Sequence, residues 1–193
     1  MAKAERKKQI LESAARLFSA RRFDEVLMDD IAQEAGVAKG TLYGHFPDKE
    51  GLYFAVVFEG LSELNERLQD RVEKEIGPEA KLREMIHALV SFFRQNRFFF
   101  KLMSAEDGKS APGKGENRRR WREERRKQMG AIESVLQSGA DEGLFEIQHL
   151  KTEARILRDM VRSVLMHSDG GLSVDEMVGM IMRIFLQGVR KRH

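Results

Sequence analysis

Apolar residues recur along this chain at helical spacing, and no stretch alternates in the way a strand requires. From about Lys3 to Ala20, the residues Ile10, Leu11, Ala14, Leu17 and Phe18 share the three- and four-residue spacing of one buried stripe. Arg21 and Arg22 follow, where a helix C-terminus favours positive charge. A short second helix is predicted from Met28, with Asp29 and Asp30 in its first turn, and it ends at Ala35-Gly36. Gly36 sits where a left-handed cap is needed. A third helix runs from about Lys39 to Pro47. Asp48 then caps a long helix from Lys49 to roughly Ile76, which Gly77-Pro78 closes. Further helices are expected at about 79–95, 97–105, 117–138, 150–168 and 173–190, with breaks at 107–117, 139–148 and 168–172. Ser173 with Glu176 fits a capping box. The pattern predicts an all-α chain of about nine helices. A three-helix N-terminal module occupies 1–53, and a larger helical domain occupies 54–193.

Composition narrows the chemistry. The 193 residues include no cysteine, which removes disulfides, thiol nucleophiles and thiolate metal sites. No apolar run approaches the ~18 residues of a membrane span. The opening MAKAERKK leads into a charged amphipathic stretch, so a cytoplasmic protein is expected. Twelve Phe and ten Met promise a pliable interior. The net charge of +3 is uneven: residues 118–127 hold seven basic and two acidic groups, and the chain ends RKRH. Residues 1–53 nevertheless carry nine basic and nine acidic side chains, so charge permits a polyanionic partner without identifying one.

Chemistry concentrates in residues 28–46, MDDIAQEAGVAKGTLYGHF. Two short helices flank a tight turn at Gly36, with Ile31, Ala32, Ala35, Val37 and Leu42 placed to hold them together. That is a helix-turn-helix, whose second helix enters the DNA major groove. Its polar residues suit the task. Lys39 brings charge and donors, and Thr41 a hydroxyl beside the helix start. Gly40 and Gly44 permit close approach, while Tyr43 and His45 are flat with polar tips. Leu42 and Phe46 read as core.

The stretch from Ile31 to Leu52, IAxxAGVAKGTLYxHFxxKExL, resembles the signature of the tetracycline-repressor (TetR/AcrR) family of bacterial transcriptional regulators. A correctly spaced first helix precedes it, and together they cover about a quarter of the chain. The resemblance implies that Lys39, Gly40, Thr41, Tyr43 and His45 face DNA and that Lys49 holds a phosphate. Tyr43 and Lys49 would anchor the backbone, with Lys39, Gly40 and Gly44 nearest the base edges. A satisfied structural histidine is the other reading of His45. Two positions depart from the family: Leu27 and Ala38 stand where a capping hydroxyl is usual. A missing cap costs about 1 kcal/mol, and weaker backbone clamping is expected.

Other signals are weaker. Gly108–Gly115, GKSAPGKG, matches seven positions of a phosphate-binding loop but lacks the final hydroxyl and a preceding strand, so a surface loop is the better account. The histidines at 45, 87, 149, 167 and 193 show no metal spacing, no nucleophile elbow surrounds a serine, and an enzyme is not expected. No cofactor is expected either. The Arg118–Lys127 run reads as a solvated face, or as a site where Arg122 and Arg125 meet an acidic ligand. The Phe-rich stretch 91–100 supplies Phe93 and Phe99. With Met103, Trp121, Arg125, Met129 and Met160 they are candidates to line an effector cavity, although core packing also explains most of them. The family resemblance favours such a cavity.

The expected function is a transcriptional repressor released from a palindromic operator by a small, apolar effector. The alternative is an architectural or partner-controlled DNA-binding protein without an effector. A homodimer is expected through the last two helices. Their apolar residues, Leu157, Val161, Val164 and Leu165, then Met177, Val178, Ile181, Ile184, Phe185 and Val189, form stripes wider than one intramolecular face is expected to need.

Overall fold

A computed structural model describes residues 2–106, 115–168 and 171–189. Among them are nine α-helices: α1 (Ala2–Ala20), α2 (Met28–Glu34), α3 (Lys39–His45), α4 (Lys49–Val72), α5 (Pro78–Gln95), α6 (Arg97–Glu106), α7 (Glu116–Asp141), α8 (Leu150–His167) and α9 (Val174–Val189). One 3₁₀ turn, Phe23–Glu25, has no counterpart in the hydrophobic pattern. The phosphate-loop-like stretch from Gly108 to Lys114 and the RKRH tail lie outside the described residues.

The expected helix bounds fail at two places, each for a visible reason. Helix α4 stops at Val72 instead of continuing to Ile76, because no side chain from Glu73 to Gly77 is buried and Ile76 is 94% exposed. Gly77 adopts φ +84° to turn the chain, and Pro78 takes the first helical position of α5, where its missing N–H costs nothing. Helix α7 runs through Gly139, which was expected to break it. That glycine is small because the ring of Phe145 folds back onto it, leaving no room for a Cβ. The turn is made at Gly143, φ +71°.

The helices form two compact units. The first holds the chain up to Ser62 together with Asn96–Trp121; the second holds Glu63–Gln95 and the chain from Arg122 onward. The division by contacts therefore falls inside α4 and gives α6 to the N-terminal unit, unlike a boundary after residue 53.

In the first unit, Ile10, Ala14 and Phe18 of α1 are buried with Ile31 of α2 and Leu42 of α3, and α6 lies against α1. Phe99 of α6 packs on Gly60 of α4, where a methyl group would collide with the ring. In the second unit, α5 carries Leu82, Met85, Ile86, Ala88, Val90, Phe92 and Phe93, all buried, and packs against both α8 and α9.

That packing accounts for most of the wide apolar stripes on the last two helices. Leu157, Val161, Leu165, Met177, Val178, Ile181, Phe185 and Val189 are all buried within their own unit. The breadth of the stripes is thus no sign of a partner. Ile156, Met166 and Ile184 are left half exposed, with Met160 and Val164 partly so.

Candidate nucleic-acid interface

Helices α2 and α3 are joined by a turn whose left-handed residue favours glycine. Gly36 has φ +62°; its N–H donates to Gln33 O at 3.1 Å, and the Val37 N–H donates to Ala32 O at 3.0 Å. These are the two bonds of a Schellman cap, which satisfies carbonyls the helix end would leave unpaired. Ile31, Ala32, Ala35 and Leu42 are no more than 3% exposed, so the pair is fixed by burial. Phe46 is buried as well, as its core reading requires. Neither Leu27 nor Ala38 caps its helix with a side chain.

The outer face of α3 presents Lys39, Gly40, Tyr43 and Gly44, all exposed, with Thr41 and His45 half-buried beside them. A Cβ added at Gly40 or Gly44 would meet nothing within 4 Å. Internal packing therefore does not require either glycine. Two bare turns of backbone on a polar face suit close approach by another molecule.

Ion pairs brace this module. Each acidic residue of α2 meets a basic partner: Arg16 with Glu34 at 3.2 Å, Arg21 with Asp30 at 3.1 Å, and Lys39 with Asp29. Exposed pairs of this kind contribute about 0–1 kcal/mol each, so their interest is positional. Asp29 bonds to the Lys39 ammonium and raises its pKa above the ordinary 10.5, keeping the charge in place.

Lys49 has a role that the sequence did not suggest. Its ammonium donates to the carbonyls of Phe23 at 2.8 Å and Val26 at 3.0 Å, and lies 4.5 Å from the centre of the Phe23 ring. It ties the start of α4 to the 3₁₀ turn. The Phe18 and Phe23 rings stack at 5.8 Å, and each meets Tyr53 edge to face, at 5.0 and 5.3 Å, completing the clamp. Asp48 caps α4 as expected, accepting from the Gly51 N–H at 2.7 Å. None of the clamp around Phe23 was visible in the sequence, because a single turn has no periodicity.

The seven candidate effector residues are not brought together within one unit. Phe99, Met103 and Trp121 belong to the first unit and are buried; Phe93, Arg125, Met129 and Met160 belong to the second. Arg125 donates to Gln128 at 3.1 Å. None of the seven lines a cavity of about 520 Å³ in the second unit, flanked by α4, α5 and α7. Met160 lines a separate groove with Ile156 and Ile184. Among the described residues no cluster of three His, Asp or Glu could hold a metal, and no helix is long and apolar enough to cross a membrane.

An exposed polar helix held on a buried companion by a glycine turn, with a further all-helical unit in the same chain, defines a helix-turn-helix transcriptional regulator. Comparison with known proteins gives the family. Residues 10–56 match the profile of bacterial regulatory proteins of the tetR family, and residues 75–189 match that of the tetracyclin repressor-like C-terminal domain. The chain belongs to the TetR family.

Among its relatives, the transcriptional repressor KstR2 of Mycobacterium tuberculosis is 28% identical over 190 residues, covering 96% of this chain and 94% of that protein. The transcriptional activator FasR of Mycolicibacterium smegmatis is 30% identical over 108 residues, covering 56% of this chain. The matches span only 36% to 57% of the first three curated relatives' own lengths. Two solved structures share the fold. That of the ketosteroid regulator KstR2 has a TM-score of 0.80 at 22% identity, covering 97% of this chain and 96% of that one. That of AibR in complex with isovaleryl coenzyme A and operator DNA has a TM-score of 0.81 at 24% identity, covering 93% and 98%.

Proposed function

We propose that the chain is a homodimeric, cytoplasmic repressor that binds a palindromic operator through α3 and leaves it when a small, largely apolar effector occupies the helical domain. The observation that carries this reading is the outer face of α3, polar and exposed at Lys39 and Tyr43 and bare at Gly40 and Gly44. Repression is favoured over activation by the KstR2 match along nearly the whole chain, against a FasR match over half of it. AibR, bound to both an acyl thioester and operator DNA, supports an effector-responsive reading. The functional division is residues 1–53 for DNA and 54–193 for effector and dimer.

In this reading Tyr43 anchors the DNA backbone, Lys39 and Gly40 approach base edges with Gly44, and Thr41 and His45 flank them. Lys49 offers a phosphate the one ammonium donor left after its two carbonyls. Dimerisation uses α8 and α9 through Ile156, Met160 and Ile184, accessible apolar groups that line one groove. Two recognition helices must then sit roughly 34–36 Å apart to meet successive major grooves. Helix α4 starts at the DNA module, and its residues are shared between the two units. It serves as the lever through which an effector alters that spacing. Tenfold weaker operator binding requires about 1.4 kcal/mol of differential effector affinity, and operator must weaken effector binding equally.

The test begins by selecting DNA from a random pool and measuring fluorescence anisotropy. Tyr43→Ala is expected to weaken all retained sequences alike, as a phosphate contact does. Lys39→Ala should change the ranking among them. Unchanged binding by both variants would exclude α3 as the reading helix.

A further inference from the structure

We infer that the second unit binds a mono-anionic amphiphile, an apolar body ending in a carboxylate, in the cavity flanked by α4, α5 and α7. The inference deepens the effector reading above, and only the ligand's regulatory role depends on it. The cavity's volume of about 520 Å³ falls in the range of small-molecule sites, about 300–1,000 Å³. Its walls are apolar where the three helices face one another: Leu68 and Val72 from α4, Met85 from α5, Ala131 and Val135 from α7. From Asn65 to Val72 the α4 wall spans eight residues, about 10 Å of helix. A short alkyl chain or a small ring system fits such a trough.

Its charged groups decide the ligand's polarity. Three ionisable side chains line the cavity: Glu73, Lys81 and Lys127. Lys127 is already paired with Glu124 at 2.9 Å, and Glu73 accepts from the Gln69 amide at 2.7 Å. Lys81 differs. It is partly buried, and among the described residues no carboxylate lies within ion-pair distance of it. An unpaired ammonium beside apolar walls is in a poorer solvent than water and gains from an incoming anion. At the other end of the α4 wall, Asn65 and Gln128 share a long 3.3 Å hydrogen bond, leaving amide capacity for a neutral polar substituent. The site thus selects negative charge at one place only, with a greasy remainder. A dianion would meet Glu73, and a cation would meet Lys81.

Calorimetric titration of the full chain with octanoate, octan-1-ol and octylamine tests this. Octanoate should bind at least tenfold more tightly than octan-1-ol, and octylamine should not bind. Lys81→Gln should erase the preference of octanoate over octan-1-ol. Ala131→Trp, at an exposed position on the cavity wall, should block both, while far-ultraviolet circular dichroism stays unchanged. Equal affinities for acid and alcohol, no octanoate binding, or full octanoate binding by Lys81→Gln would each overturn the assignment. DNA titration of the same samples separates the two readings. Octanoate binding that obeys the variants but leaves DNA affinity unchanged upholds the site and removes its role as effector pocket. A chain that selects no DNA overturns the regulator and leaves the site standing.

Discussion

At the scale of single residues, Gly40 and Gly44 separate the needs of the fold from those of the partner. Both sit in a helix with open space around the missing side chain, so alanine there should help the protein and harm its function. Gly44→Ala should raise stability by about 0.5–1 kcal/mol through helix propensity. Operator affinity should fall because the new methyl group holds the duplex away. Thermal melts and anisotropy on the same samples would show the two effects in opposite directions; a Gly44→Ala that binds DNA normally would mean the backbone does not come close. Asp29 is the second test. At pH 7 Lys39 is charged with or without its partner, so Asp29→Asn changes net charge and not protonation. It should tighten DNA binding and steepen the slope of log affinity against log salt by up to about one unit. These two cases also show what the sequence could tell. The polar face of α3 was legible because residue types at fixed spacing define it. The pairing of Asp29 with Lys39 was not, because both ends are exposed and ten positions apart. The double carbonyl contact of Lys49 was hidden for a similar reason, since it reaches back 26 residues to a turn without pattern.

Elements were readable wherever a local rule governs them. The capping box at α9 formed as its spacing foretold: the Ser173 N–H donates to Glu176 at 2.7 Å, and the Glu176 N–H donates to the Ser173 hydroxyl at 3.2 Å. Ser173→Ala should cost about 1 kcal/mol of stability in denaturant titrations. The Ser173 N–H also holds the Glu176 carboxyl below its ordinary pKa of 4.5. A lowered folded-state value means that the carboxylate's contribution is complete above the unfolded pKa and is lost as pH falls through the lowered one. Glu176→Gln should therefore flatten that part of the acid limb of the stability curve, and denaturant midpoints between pH 6 and pH 3 would reveal it. Where distant side chains overrule local signals, the reading failed. Gly139 was expected to end α7, yet it is a landing place for Phe145. The Glu73–Ile76 segment has helix-forming residues but nothing to bury.

For the whole molecule, the breadth of the apolar stripes on α8 and α9 suggested assembly, but burial against α5 explains most of it. What remains for a partner is small and nameable. Ile156 and Ile184 are 50% and 53% exposed, at positions where an isolated surface leucine or isoleucine would be unremarked. Together on one groove with Met160 they make a patch. Sedimentation should show the double variant Ile156→Glu, Ile184→Glu as a monomer of 22.2 kDa and the natural chain as a dimer. A variant that remains dimeric would place the interface elsewhere. The balanced charge of the N-terminal module has its own consequence, in how the protein spends its time in a cell. Nine acidic side chains offset nine basic ones across residues 1–53, and three of those acids are already seated on cations. Bulk chromosome, which attracts proteins through phosphate charge alone, should then have little hold on it. Competing sites outnumber an operator by about a millionfold or more. A reader with a weak grip on ordinary DNA would not be sequestered by it, so a few free copies would suffice to keep one operator occupied.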